Sequence, residues 1–144
     1  MLNPDWIRLE WREEGQTDYI FGPDSFSDGT LRFIALAALL LEPPELLPNV
    51  ILLDEPELGL HPQAVDILAE MIRTAGEHTQ VIIATQSERL VDNFDTENIL
   101  IAEKNKHSHL SEFHSLKDMD IEQWLEDYTI SQIWEKNVFG GQPE

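Results

Sequence analysis

Two acidic side chains stand side by side at the end of an apolar run. Val50-Ile51-Leu52-Leu53 is followed by Asp54-Glu55 and then Pro56. In open α/β sheets, ligands sit beyond the carboxyl ends of the strands. Adjacent carboxylates there are costly to hold unless something cationic arrives, and Mg²⁺, which takes oxygen ligands and keeps waters, suits the place. One carboxylate can hold such an ion while its neighbour orients or deprotonates a water. The plain alternative is an acidic strand end facing solvent. A second candidate is Ser27-Asp28-Gly29-Thr30, just before the helix-forming run Leu31 to Leu41. Gly29 lets backbone approach a ligand closely, a helix start offers free N–H groups to an anion, and Ser27 adds a hydroxyl donor. The same residues also read as an ordinary loop with Ser27 or Asp28 as N-cap. The third candidate is Gln86, after Val81-Ile82-Ile83-Ala84-Thr85, whose amide can hydrogen-bond a phosphate or an attacking water.

These groups need elements to position them. The uninterrupted apolar runs 50–53 and 81–84 predict fully buried parallel strands. The helix over 31–41 is apolar on nearly all faces, which predicts burial, and Pro43-Pro44 ends it. A second helix opens at His61-Pro62, carries Val65, Leu68 and Ile72 on one face, and stops near Gly76. A short helix follows around Leu90 and Phe94, then a third strand at Ile99-Leu100-Ile101, expected to pair with Leu110 to Leu116. Weak alternation over residues 5–21 (Ile7, Leu9, Trp11, then Tyr19 and Phe21) predicts an N-terminal β-hairpin. Amphipathic helices are expected around Ile121, Trp124, Leu125 and Tyr128, and around Ile133 and Trp134. The alternation of strands and helices argues for an α/β fold, a parallel sheet with flanking crossover helices, in a single domain over 1–144.

Taken in order, the segments resemble a known family. Val50 to Pro56 looks like the Walker B segment of ABC-type ATPases. Glu57-Leu58-Gly59-Leu60-His61-Pro62 resembles the D-loop of their SMC- and RecF-like branch, which includes bacterial AAA-type and OLD-like ATPases. Phe26 to Thr30 resembles the ABC signature, and Val81 to Ser87 the switch strand. The four lie in family order over about residues 21–100. The resemblance implies the P-loop NTPase (ABC ATPase-like) fold, ATP as substrate with Mg²⁺ as cofactor, and two heads that dimerise around ATP. It implies that Asp54 holds the metal, that Glu55 is the general base or water-orienting residue, and that Gln86 is the switch. Ser27, Asp28 and Gly29 would contact the γ-phosphate held by the opposite head, with Gly59 and His61 at the dimer interface. Gln86 stands where His is commoner in the family; it can sense a phosphate but carries no titrating proton.

One expected part is missing. No glycine of the chain is followed by lysine, so the phosphate-binding pattern Gly-x-x-x-x-Gly-Lys-Ser/Thr does not occur. The sequence therefore resembles the second half of a head, and the implied partners are a P-loop-bearing half or a homodimer mate. A truncation, a split gene product and a degenerate remnant all fit. The other reading is a non-enzymatic dimerisation or interaction module that retains the fold.

Composition narrows the rest. Nine Lys+Arg against 28 Asp+Glu give a net charge of −19, which opposes direct nucleic-acid binding, since that affinity comes from cations neutralising phosphates. A DNA-processing or defence partner rests on family analogy alone. There are no cysteines, which fits a reducing compartment. No apolar run approaches the roughly 20 residues that span a bilayer, so the expectation is a cytoplasmic protein with no membrane contact. His107, His109 and His114 form a weak metal pattern, read here as a hairpin turn. Trp124, Tyr128 and Trp134 are expected to pack in a core rather than stack on bases.

Overall fold

The computed structural model describes residues 9–12, 14–15, 19–105 and 108–141. Its first long element is helix α1, Asp28–Leu40, N-capped by Ser27, whose side-chain oxygen accepts from the Thr30 N–H. Strand β1, Val50–Asp54, follows, then α2, Pro62–Gly76, and β2, Gln80–Ala84. Strands β1 and β2 pair in parallel, with Ile51 opposite Val81 and Asp54 opposite Ala84. A parallel pair needs a crossover between its strands, and α2 supplies it. Val65, Leu68, Ala69, Met71, Ile72 and Ala75 of α2 are buried, the three-and-four spacing of one helix face.

The main core gathers Leu40, Ile51, Leu68, Met71, Ile72 and Ala75, with Phe33, Leu36, Leu53, Val81 and Ile83 packed against it. All the sheet residues in that list lie at alternate positions of β1 and β2. The residues between them point away from this core: Leu52 is 73% exposed, Ile82 48% and Val50 46%. The expectation of fully buried strands is thus corrected. Helices α1 and α2 cover one face, and among the described residues nothing covers the other. Helix α1 is corrected in the same way: Leu31, Ala35, Ala38 and Leu39 are exposed, because only one side of it meets α2 and the sheet.

Helix α3, Glu88–Val91, is short and capped by Ser87. Strand β3, Leu100–Lys104, pairs antiparallel with β4, Ser111–Ser115. The predicted partnership of the third strand holds. It does not extend the parallel sheet, however, because β3 and β4 form a sheet of their own. Helix α4, Glu122–Leu125, is a single turn and not the longer amphipathic helix expected through Tyr128. Helix α5, Ile130–Glu135, is fixed by a capping box of Thr129 and Gln132. These parts surround a second core of Ile101, Leu116, Ile121 and Ile130.

Among the described residues the expected N-terminal hairpin shows one antiparallel bridge, Trp11 to Phe21, whose rings stack 4.9 Å apart; Ile7 lies outside the described residues. No helix among the described residues is long and apolar enough to cross a membrane.

Candidate functional site

The acidic pair sits where β1 ends. Asp54 is the last residue of the strand, and Glu55 and Asp54 are both exposed. Glu55 has φ +42°, the left-handed region that non-glycine residues rarely occupy and that recurs at functional sites. Its N–H donates to the Ala84 carbonyl at 2.8 Å. That bond extends the parallel ladder one step past β1 and ties Glu55 to the strand end from which Thr85 and Gln86 leave. Pro56 behind it is buried.

The chain then turns twice. The Leu58 N–H donates to the Glu55 carbonyl at 3.1 Å, and the Leu60 N–H to the Glu57 carbonyl at 2.9 Å. Gly59 completes the reversal at φ +79°, a value open to glycine without steric cost. His61 caps α2, its Nδ1 accepting from the Gln63 N–H at 3.3 Å. This cap is one physical reason for its position.

The Ser27–Thr30 segment lies directly against this turn. Gly29 is buried, and a β-carbon on it would collide with the Gly59 carbonyl, coming within 2.9 Å of its carbon. Gly29 is therefore glycine because one backbone must pass another inside the same chain, a reason the sequence reading did not contain. Arg32, one turn into α1, carries a second tie. The Arg32 guanidinium donates through Nη1 to the Leu58 carbonyl at 3.0 Å and reaches the Glu55 carbonyl at 3.5 Å. The Ser27 hydroxyl oxygen accepts from the Thr30 N–H at 3.1 Å and lies 2.8 Å from the Thr30 hydroxyl.

Gln86 is exposed just beyond β2, between two residues whose side chains are engaged. The Thr85 hydroxyl donates to Glu57 Oε1 at 2.5 Å and accepts from the Ser87 N–H at 2.9 Å. Helix α3 is held in turn by Arg89, which donates to Asp66 Oδ1 and Oδ2 of α2 at 2.9 and 2.5 Å. The Arg89 hydrogen bond keeps the Asp66 carboxyl below its usual range.

The structure thus brings Gly29, Asp54, Glu55 and Gly59 into one connected surface, with Gln86 joined to it through Thr85 and Glu57. Arg32, Glu57 and Thr85 were not picked out from sequence. The signal available for Arg32 was a lone cation on an apolar helix, three residues after Gly29.

The donor set fits Mg²⁺. Asp54 and Glu55 are exposed neighbours, and this ion uses one or two carboxylates with waters and phosphate oxygens completing its shell. Among the described residues no group of three His, Asp or Glu gathers as a closed metal cage. His114 instead lies 3.6 Å from Glu103 and 3.9 Å from Glu112, and His107 lies outside the described residues. An open hollow of about 240 Å³ between the C-terminal ends of α1 and α2, lined by Leu40, Leu47, Thr74 and His78 among others, is remote from these carboxylates.

The model of one protein family, described as AAA domain, putative AbiEii toxin, Type IV TA system, matches residues 7–92. The chain belongs to this AAA domain family. The match takes in the whole Gly29–Gly59–Asp54–Gln86 surface, so the assembly just described is the family's portion of the chain. No curated protein matches the sequence. A solved structure of an SMC ATPase, from work on the ATP-driven dimerisation and DNA-stimulated activation of SMC ATPases, shares the fold. It superposes with a TM-score of 0.58 at 19% identity, covering 85% of this chain and 74% of that one. This AAA domain therefore shares its α/β fold with that SMC ATPase structure.

Proposed function

We propose that this AAA domain is the signature- and Walker B-bearing part of an ABC-type ATPase head, which hydrolyses ATP once a P-loop-bearing stretch of chain or partner completes the site. The observation that carries the reading is the strand end itself. Asp54 and a backbone-strained Glu55 stand at the carboxyl end of a parallel strand, bonded sideways to the strand that delivers Gln86. A merely solvated acidic loop has no use for such strain.

In this reading Glu55 accepts a proton from, or orients, the attacking water. The exposed carboxylate of Asp54 holds Mg²⁺, which when bound offsets charge on the phosphates of ATP. Gln86 donates an amide N–H toward the γ-phosphate or the water. Ser27, Asp28 and Gly29 open α1, and the start of that helix would meet a γ-phosphate held by a second head. Gly59 and His61 lie at the edge of the same surface and would meet that head. Preorganised donors and bases of this kind are the main protein contribution to phosphoryl transfer.

The uncovered sheet face supports the completion step. Parallel sheets are ordinarily covered on both sides, and here Val50, Leu52 and Ile82 stand open on one side. A P-loop-bearing half that layers onto them would bury the face and bring the phosphate cradle. The same face favours the second reading, an interaction module that only associates. The two separate cleanly: with the P-loop-bearing half added, Glu55→Gln abolishes turnover in the first reading and changes nothing in the second. The net charge of −19 leaves any DNA contact to a partner, and a cytoplasmic location would suit this reading.

A further inference from the structure

We propose that Glu57 and Thr85 form a latch that sets the position of Gln86, making both of them positioning residues for the switch; this rests on the ATPase reading above. A threonine hydroxyl has one proton and two acceptor lone pairs. The Thr85 proton goes to Glu57 Oε1, and a lone pair takes the Ser87 N–H. The second contact alone is a local turn of a common kind. The first joins residues 28 apart in sequence and links the Glu55–Leu60 turn to the end of β2. Because its acceptor is a carboxylate, it belongs to the stronger class of hydrogen bond. Ser87 then caps α3 by accepting the Leu90 N–H at 3.2 Å, and Leu90 is fully buried. Among the described residues, Gln86 is therefore the free side chain between two fixed neighbours.

Glu57 is an odd choice if stability is its purpose. Its other carboxylate oxygen, Oε2, is buried and lacks a hydrogen-bond partner among the described residues, an arrangement that costs folding energy. A residue retained at a cost in that place is retained for what it holds. The consequence is direct coupling: a displacement of the Gly59 turn, as when a second head docks against it, pulls on Thr85 and hence on Gln86.

The test compares Thr85→Val, which removes the hydroxyl at constant shape, with Thr85→Ser, which keeps it, and pairs each with Glu57→Ala. Amide hydrogen exchange is read on the 144-residue chain without nucleotide. ATP hydrolysis is read after adding a P-loop-bearing half. Thr85→Val should speed exchange at the Ser87 amide about tenfold, the worth of one such bond, and lower kcat with KM for ATP unchanged. Thr85→Ser should restore both, and Glu57→Ala should add nothing to Thr85→Val. Unchanged Ser87 exchange in Glu57→Ala, which leaves the local Thr85–Ser87 bond in place and removes only the latch acceptor, would overturn the latch. Faster exchange with unchanged kcat, or a loss confined to KM, would overturn its role toward Gln86. A wild-type head that hydrolyses no ATP would overturn the ATPase reading and the latch's catalytic purpose together, while the exchange data still decide whether the latch exists.

Discussion

Gly29 and Gly59 are packed backbone against backbone, so tightly that a β-carbon on Gly29 would come within 2.9 Å of the Gly59 carbonyl carbon. This contact fastens the start of α1 to the turn after β1. It makes the two segments one rigid surface, and it explains both glycines without reference to a bound nucleotide.

Gly29→Ala should therefore destabilise the chain by about 1–3 kcal/mol, the usual cost of overpacking, because backbone cannot step aside as a flexible side chain can. Gly76→Ala is the control. No atom lies within 4 Å of a β-carbon at Gly76, so removing glycine from the helix end should be neutral or stabilise by up to about 1 kcal/mol. Urea unfolding of the two variants measures the difference.

Arg32→Met keeps the aliphatic stem and deletes the bonds to Leu58 and Glu55. At this exposed site the loss should be about 1 kcal/mol. Amide exchange should rise at Leu58 and Leu60 and stay unchanged in the centre of α2, as deuterium-exchange mass spectrometry would show.

Asp66 supplies a pH test. Its folded pKa lies below the ordinary 3.8, first because of the Arg89 hydrogen bond. The stability it contributes is therefore present above 3.8 and disappears as pH falls through the lower folded value. In Arg89→Ala the carboxyl should titrate nearer 3.8, visible as a shifted midpoint of its ¹³C resonance.

Leu52→Ser tests the open sheet face. Leu52 is 73% exposed, so stability should change by less than about 0.5 kcal/mol. Dye binding and self-association of the isolated chain should both fall, since an uncovered apolar patch drives each. Light scattering and dye fluorescence of both proteins decide it.

Much of this was legible in the sequence. The apolar runs before Asp54 and before Gln86 announced two parallel strands, and His61-Pro62 and Gly76 bounded the crossover helix closely. The acidic pair and the Ser27–Thr30 segment each read alone as a solvated strand end or an ordinary N-cap, and only their order along the chain made them candidates. Burial was misjudged for a definite reason. An apolar run reports that a face wants cover, and Leu52, Ile82 and Leu39 are apolar on a side that no described residue covers. The third strand's pairing with residues 110–116 was expected, but nothing in Ile99–Ile101 marks that this pair forms a sheet apart from β1 and β2. Arg32, Glu57 and Thr85 were missed because their importance lies in hydrogen bonds between residues 23 to 28 positions apart, which no local pattern records.

The most direct measurement is steady-state ATP hydrolysis by this chain combined with a P-loop-bearing half, comparing wild type with Glu55→Gln and following ATP binding by calorimetry in parallel. The account predicts that Glu55→Gln binds Mg²⁺ and ATP as tightly as wild type and loses turnover by about 10²–10⁴-fold, the contribution of a placed general base. Equal turnover in the two proteins would contradict it.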